Sequence, residues 1–216
     1  MKAVLIPIKD PERAKTRLSA ILSPGERRDL AWAMFEDVSG AVTRAAKPDG
    51  IFLVSSFRPA IEHARSLGWD VLVEQRQVSE SDSIDRASRI LGERGFDCVL
   101  RLPADIPLVR PSDVDELLSV DLVAPAALMV PSREGTGTNA IIRTPPALFP
   151  SRFGPGSLAL HLEEGARSGA ACSIVNNSAI ALDIDEPSDI ALLLEVGRGT
   201  KAHDLLTEWK IPERMP

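Results

Sequence analysis

Apolar runs punctuate the first half of this chain at regular intervals, separated by amphipathic or charged stretches. Ala3 to Ile8 is almost continuously apolar, as expected of a strand buried on both faces. Ile51 to Ser55, Val71 to Val73 and Cys98 to Asp105 repeat that signal. Between them lie helical patterns. Ser23-Pro24-Gly25-Glu26 reads as a capping box with proline at the first helical position. Leu30, Met34, Val38 and Val42 then share one helical stripe. Pro59 to Leu67 closes at Gly68, a C-terminal capping glycine. Ile84 to Leu91 is a third helix, and a fourth opens at Pro111.

Strand and helix alternating in this way predict an α/β fold. The expected form is a three-layer α/β/α, Rossmann-like arrangement around a mixed, mostly parallel sheet. The second half is less regular. Short strands are expected at Leu122 to Pro125, Thr138 to Arg143, Ser173 to Val175 and Ile180 to Leu182. A helix containing His161 follows a glycine-proline turn, and a last helix spans Glu186 to Leu194. No repeat or linker divides the chain. The reading is one domain over 1–216, with a nucleotide-binding half (1–110), an acceptor-binding half (111–199) and a C-terminal tail (200–216).

Composition narrows the class. The 216 residues are 44% hydrophobic and 26% charged, with net charge −6. That balance argues against nucleic acid or an acidic membrane as partner. No run approaches the length of a membrane span, and no signal-peptide pattern opens the sequence, so a soluble, cytoplasmic protein is expected. Cys98 and Cys172 lie in apolar runs without metal-ligand spacing, as core thiols do.

Against this acidic background the loop after the first strand is basic: Lys9, Arg13, Lys15 and Arg17. It carries neither a P-loop nor a dinucleotide glycine fingerprint, so any phosphate contact must come from side chains. Lys15 and Arg17 are candidates to neutralise a triphosphate, and the alternative is a solvated surface loop. Asp105, at the end of an apolar run, and Asp183 with Asp185, at the end of another, are candidate Mg²⁺ ligands. Helix capping by Asp185 or Ser188 is the competing explanation for the second group. Gly135-Thr136-Gly137-Thr138-Asn139 and Gly154-Pro155-Gly156-Ser157 offer backbone N–H groups and a helix N-terminus to an anion, or serve simply as turns. His161 is a lone helical histidine with no assigned role.

In order along the chain, these segments resemble one family. They are Pro7-Ile8-Lys9, Ala14 to Ser19, Leu102-Pro103-Ala104-Asp105-Ile106-Pro107-Leu108, Gly137 to Ala140, Phe153 to Ser157, His161 and Leu182 to Pro187. The family is the 2-phospho-L-lactate guanylyltransferases, whose bacterial members are phosphoenolpyruvate guanylyltransferases. They build the phosphodiester precursor of the deazaflavin coenzyme. The resemblance implies a nucleotide-diphospho-sugar-transferase-like fold and transfer of GMP from GTP to a small phosphorylated three-carbon acid. It implies Mg²⁺ on Asp105, Asp183 and Asp185. Lys9, Lys15, Arg17 and Ser83 would face the nucleotide, with Asp105, Lys15 and Arg17 as catalytic groups. Thr138, Asn139, Gly154 and Ser157 would face the acceptor. A homodimer is compatible with it.

Two departures weaken the reading of the base: Glu80-Ser81-Asp82-Ser83 stands where the family often has Asn-Ala, and Ser56-Phe57 follows the second-strand serine. Phosphoenolpyruvate is the first choice of acceptor, with 2-phospho-L-lactate and 3-phospho-D-glycerate as alternatives. Molybdopterin- or sugar-type nucleotidyltransferases are rivals, though they usually carry a glycine-rich loop after strand one. A non-catalytic nucleotide or phospho-acid sensor is a rival of another class.

Overall fold

A computed structural model of the chain describes residues 1–11, 15–75 and 78–214. Among them, seven strands form one mixed sheet. In chain order they are β1 (Lys2–Pro7), β2 (Gly50–Ser55), β3 (Asp70–Val73), β4 (Cys98–Arg101), β5 (Ala126–Pro131), β6 (Thr138–Thr144) and β7 (Ala171–Ile174). Their spatial order is β3-β2-β1-β4-β6-β5-β7. The β3-β2-β1-β4 half is all parallel. β6 runs antiparallel to both β4 and β5, and β7 returns parallel to β5. The sheet is therefore mixed and mostly parallel, as the strand–helix alternation predicts.

Period-two alternation on the strands separates two covered faces. Val4, Ile6, Leu53 and Leu100 point to one face. There they meet Phe35, Val38 and Val42 of α1 (Pro24–Thr43), Ala60 and Ala64 of α2 (Arg58–Ser66), and Val114 and Leu117 of α4 (Pro111–Ser119). Ala3, Leu5, Phe52, Val54 and Val99 point the other way, onto Ile84, Ala87 and Leu91 of α3 (Glu80–Glu93). Along β5 and β6, Ala127, Met129 and Ile141 pack on Leu158 and Leu162 of α5 (Ser157–Arg167). The result is the three-layer α/β/α arrangement. Ser23 caps α1 as expected: its hydroxyl accepts from Glu26 N–H, and the Glu26 carboxylate accepts from Ser23 N–H at 2.8 Å.

Four expectations are corrected. β4 ends at Arg101, so Asp105 sits in the loop beyond the strand rather than closing it. The strand expected at Leu122 to Pro125 is displaced to β5, which begins at Ala126. Ile180 to Leu182, read as a strand, contributes instead to the short helix α6 (Ser178–Ala181), capped by Asn177 Oδ1 accepting from Ile180 N–H at 2.9 Å. The residues after α7 (Pro187–Val196), read as a tail beyond Gly199, form α8 (Lys201–Glu208). Asp37 of α1 accepts the Lys201 and Ala202 N–H groups at the start of α8. Ala202 and Leu206 share a core with Leu30, Met34, Ile184, Ile190 and Leu193.

Candidate active site

The reversal of strand direction between β4 and β6 builds the cleft. Arg101 at the end of β4 pairs with Ile141, so Thr138 and Asn139 at the start of β6 project past the carboxyl ends of β1 and β4. In open α/β sheets ligands bind at such a mouth. A cavity of about 820 Å³ opens there. Its walls are the loop after β1, the loop after β4, the β5–β6 turn, the start of α5 and the segment leading into α7.

Lys15 takes a left-handed backbone conformation (φ 55°) ahead of a 3-10 turn at Thr16–Leu18, and Leu18 is fully buried. This turn aims the Lys15 side chain inward. Its ammonium donates to Asp105 Oδ2 at 2.6 Å and to Asp185 Oδ1 at 2.7 Å. A backbone bond, Ile184 N–H to Asp105 C=O at 3.2 Å, ties the two acidic segments together. Burial disfavours the Lys15 charge, but the two carboxylates prevail and hold its pKa above the ordinary value. Burial likewise opposes ionisation of Asp105, and Lys15 overcomes it, holding that carboxyl below its ordinary value. Asp183 goes the other way. Burial, then the neighbouring Asp105 charge, push it up, against a 3.0 Å hydrogen bond from Asn139 Nδ2. Arg17 is exposed and lies 3.5 Å from Glu186 and 4.0 Å from Asp185. Lys9 lines the cavity from the loop after β1.

The capping alternative for the second acidic segment is settled by geometry. Asp189 Oδ2 accepts from Asp185 N–H at 3.0 Å and Glu186 N–H at 2.8 Å, while Arg133 holds its other oxygen. Asp189 therefore caps α7, and the side chains of Asp183 and Asp185 are left to the cleft.

On the opposite wall, Thr138 N–H donates to Ser157 Oγ at 2.8 Å. Gly154 (φ 130°) and Gly156 (φ 70°) turn the chain into α5 in conformations open to glycine. His161 is fully buried beneath them. Its Nε2 accepts from Arg152 N–H at 2.8 Å, so the proton belongs on Nδ1, which donates to Thr138 Oγ1 at 3.0 Å. Burial, then Arg143 and Arg101, hold its pKa down at about 4. The histidine is a neutral post that orients Thr138.

The cleft thus gathers Lys9, Lys15, Arg17, Asp105, Thr138, Asn139, Gly154, Ser157, Asp183 and Asp185. Ser83 is not among them. It is buried in α3 and its hydroxyl donates to Ser79 C=O at 2.9 Å. Helix α3 starts at Glu80, earlier than the apolar pattern shows, and this turns Ser83 inward. Arg13 and Ala14 of the basic loop lie outside the described residues. The cavity also holds residues that the motifs did not flag, notably Arg101, Glu80 and Trp32. Arg101 left one trace in the sequence, as the single charge within Val99-Leu100-Arg101-Leu102.

The donor set fits a divalent cation. Asp183 is a half-buried carboxylate whose ionisation is disfavoured by burial, then by Asp105 and Asp185, and Lys15 already bridges two of the three. Carboxylates crowded in this way suit a hard cation. Among the described residues no three His, Cys, Asp or Glu side chains close into a ready-made cage. Mg²⁺ does not require one, because it takes one or two carboxylates and completes its shell with phosphates and water.

The fold is of the nucleotide-diphospho-sugar-transferase type. A crystal structure from Desulfovibrio desulfuricans G20, described as a nucleotide-diphospho-sugar transferase, superposes with a TM-score of 0.79 over 99% of this chain and 97% of that one, at 18% identity. The chain belongs to the family described as guanylyl transferase CofC like, whose model matches residues 1–214. A phosphoenolpyruvate guanylyltransferase of Rubrobacter xylanophilus is 35% identical, the match covering 88% of this chain and 91% of that protein. A 2-phospho-L-lactate guanylyltransferase of Methanothermobacter thermautotrophicus is 34% identical, over 94% and 88%. A 3-phospho-D-glycerate guanylyltransferase of Colwellia psychrerythraea is 30% identical, over 88% and 90%. Among the described residues no helix is long and apolar enough to cross a membrane.

Proposed function

We propose that this protein transfers GMP from GTP to the phosphate of a small phospho-acid with Mg²⁺, making the phosphodiester precursor of the deazaflavin coenzyme. Phosphoenolpyruvate is the first choice of acceptor, with 2-phospho-L-lactate and 3-phospho-D-glycerate as alternatives. The observation that carries the proposal is the Lys15 ammonium held between Asp105 and Asp185 at the sheet mouth. The names borne by its relatives support the nucleotide and the acceptor class.

An acceptor phosphate is ionised at neutral pH, so no strong general base is needed. One of its oxygens attacks the α-phosphorus of GTP, the α–β P–O bond breaks, and pyrophosphate departs with that electron pair. The obstacle is the approach of two polyanions, and the protein's contribution is placement and charge. Lys9, Lys15 and Arg17 serve the triphosphate. Lys15 exchanges its carboxylate partners for phosphate oxygens as the nucleotide enters. Thr138, Asn139, Gly154 and Ser157 hold the acceptor, with Thr138 oriented by His161. Asp105, Asp183 and Asp185 are the carboxylates for Mg²⁺, which when bound neutralises charge on the phosphates. In this reading 1–110 is the nucleotide half and 111–199 the acceptor half.

The test is mass spectrometry of the product from GTP, Mg²⁺ and each of the three acids. A guanylylated acid with stoichiometric pyrophosphate is expected. Absence of product with all three sinks the proposal.

A further inference from the structure

Among the described residues two arginines are buried, and they are treated differently. Arg143, 2% exposed, has partners on both terminal nitrogens. It binds Asp85 at 3.0 Å, Ser88 at 3.0 Å and Phe149 C=O at 2.5 Å. Arg101 is 6% exposed and lines the cleft. Its Nη1 donates to Asn139 C=O at 2.8 Å, and its guanidinium carbon lies 4.2 Å from the centre of the Phe153 ring. Its Nη2 is paired with Glu80. Its Nε is buried and has no hydrogen-bond partner among the described residues.

Leaving a buried guanidinium N–H unpaired is costly, and a purely structural ion pair gives no reason for it. The partner is also unusual. Glu80 is itself a cleft residue whose side chain is 34% exposed, so the pair faces the cavity rather than the core. Asn139 C=O and the Phe153 ring fix the plane of the guanidinium, and its Nε–Nη2 edge carries one partner, Glu80, and one unpaired N–H. A planar fork fixed in this way matches a carboxylate in two-point geometry. Its neighbours Thr138, Asn139 and Phe153 belong to the wall opposite the basic loop.

We infer that Arg101 binds the carboxylate of the acceptor, and that Glu80 fills that place until the acceptor arrives. The inference rests on the guanylyltransferase reading and deepens it. It makes Arg101 the residue that separates phospho-acids from sugar phosphates, which carry the phosphate without the carboxylate.

The test uses the full-length protein with saturating guanosine 5′-(α,β-methylene)triphosphate and Mg²⁺. Phosphoenolpyruvate and its carboxamide are titrated by calorimetry, and turnover with GTP is measured alongside. A double variant, Arg101→Met with Glu80→Gln, removes both charges together and leaves none stranded. Its thermal melt verifies folding. Wild type is expected to bind the acid about 100-fold more tightly than the amide, the double variant within about threefold. Glu80→Gln alone, which keeps the fork and weakens the internal competitor, is expected to tighten the acid severalfold. A double variant that keeps the wild-type preference for the acid overturns the inference. So does a wild type that does not distinguish acid from amide. A wild type that prefers the acid but releases no pyrophosphate from GTP sinks the transferase reading and leaves the Arg101 assignment standing.

Discussion

The Lys15 ammonium lies 2.6 Å from Asp105 Oδ2, a residue 90 positions further along the chain. That pair joins the loop after β1 to the loop after β4, and its energetics are those of a buried contact. The Lys15 side chain is only 7% exposed. Replacing it by methionine preserves bulk and removes the cation. Asp105, Asp183 and Asp185 then face one another with only the exposed Arg17 and the more distant Arg101 to offset them. For Lys15→Met we expect kcat/KM with GTP to fall by about 100- to 1,000-fold, the range for loss of one electrostatic group. Half-exposed carboxylates moderate the stability loss to about 1–2 kcal/mol. Millimolar Mg²⁺ should restore more of the melting temperature in the variant than it adds to wild type. Equal Mg²⁺ shifts would separate the carboxylates from cation binding.

Asp183 offers the opposite trade. Its pKa is raised by burial and by Asp105, so the ionised form weakens the folded state at neutral pH. A group with a raised folded pKa supports stability below its unfolded pKa and loses that support as pH climbs through the folded value. Asp183→Asn removes the charge and still accepts the Asn139 hydrogen bond. The variant should melt higher at pH 7 by about 2–4 °C, corresponding to about 1 kcal/mol in a chain of this size. Turnover should drop by at least about 100-fold, as for a lost electrostatic group. A variant that is both less stable and fully active would remove Asp183 from the site.

The acidic pole of this cleft was legible because its carboxylates follow apolar runs, and the basic pole because its charges are concentrated in the loop after the first strand. Asp105 follows Cys98 to Leu102, and Asp183 follows Ile180 to Leu182. Arg101 and Glu80 were not, because they sit inside secondary structure, where a charge reads as a surface position. β5 escaped for another reason. Ala126 to Val130 are buried on both faces, so no alternation marks them, and Pro125 immediately before them signals a turn. Ile180-Ala181-Leu182 is too short for its period to tell helix from strand. Its helical state is decided by the Asn177 cap and by packing of Ile180 into the main core. α8 depends on tertiary contact too, since Ala202 and Leu206 find their partners on α1 and α7.

His161 makes a pH prediction whose sign is fixed. Its folded pKa is about 4 against an ordinary value of 6.5. Between those values the unfolded chain binds the proton and the folded protein does not. Its contribution is therefore complete above about pH 6.5 and is lost as pH falls toward about 4, amounting to roughly 3 kcal/mol across the window. In His161→Gln, urea-unfolding free energy should be lower at pH 7, and its slope between pH 6.5 and 4.5 should be shallower than in wild type. An unchanged slope would mean that the imidazole is not the buried neutral post described. KM for the acceptor should rise while KM for GTP stays constant, because Thr138 loses its orienting donor and the basic loop is untouched.

Asp85 supports the same wall from below. Its Oδ1 accepts from Arg143 at 3.0 Å and from Ser151 Oγ at 2.6 Å, and its Oδ2 accepts from Ser151 N–H at 2.9 Å. Ser151 precedes Arg152, whose N–H meets His161, and Phe153, which stacks on Arg101. One carboxylate thus anchors the loop whose Arg152 N–H holds His161, the partner of Thr138, and whose Phe153 packs on Arg101. Asp85→Ala strands the Arg143 guanidinium, which is 2% exposed, and frees that loop. Breaking such a pair from one side costs about 3–5 kcal/mol. Asp85→Asn keeps the acceptor oxygen for Ser151 and should cost about half as much, the remaining hydrogen bond being worth about 1–2 kcal/mol. Urea denaturation of the two variants measures the difference. At temperatures where both stay folded, acceptor KM should rise in Asp85→Ala more than in Asp85→Asn, with GTP KM unaffected. Equal stability losses in the two would show that charge on Arg143, and not the hold on Ser151, carries the effect.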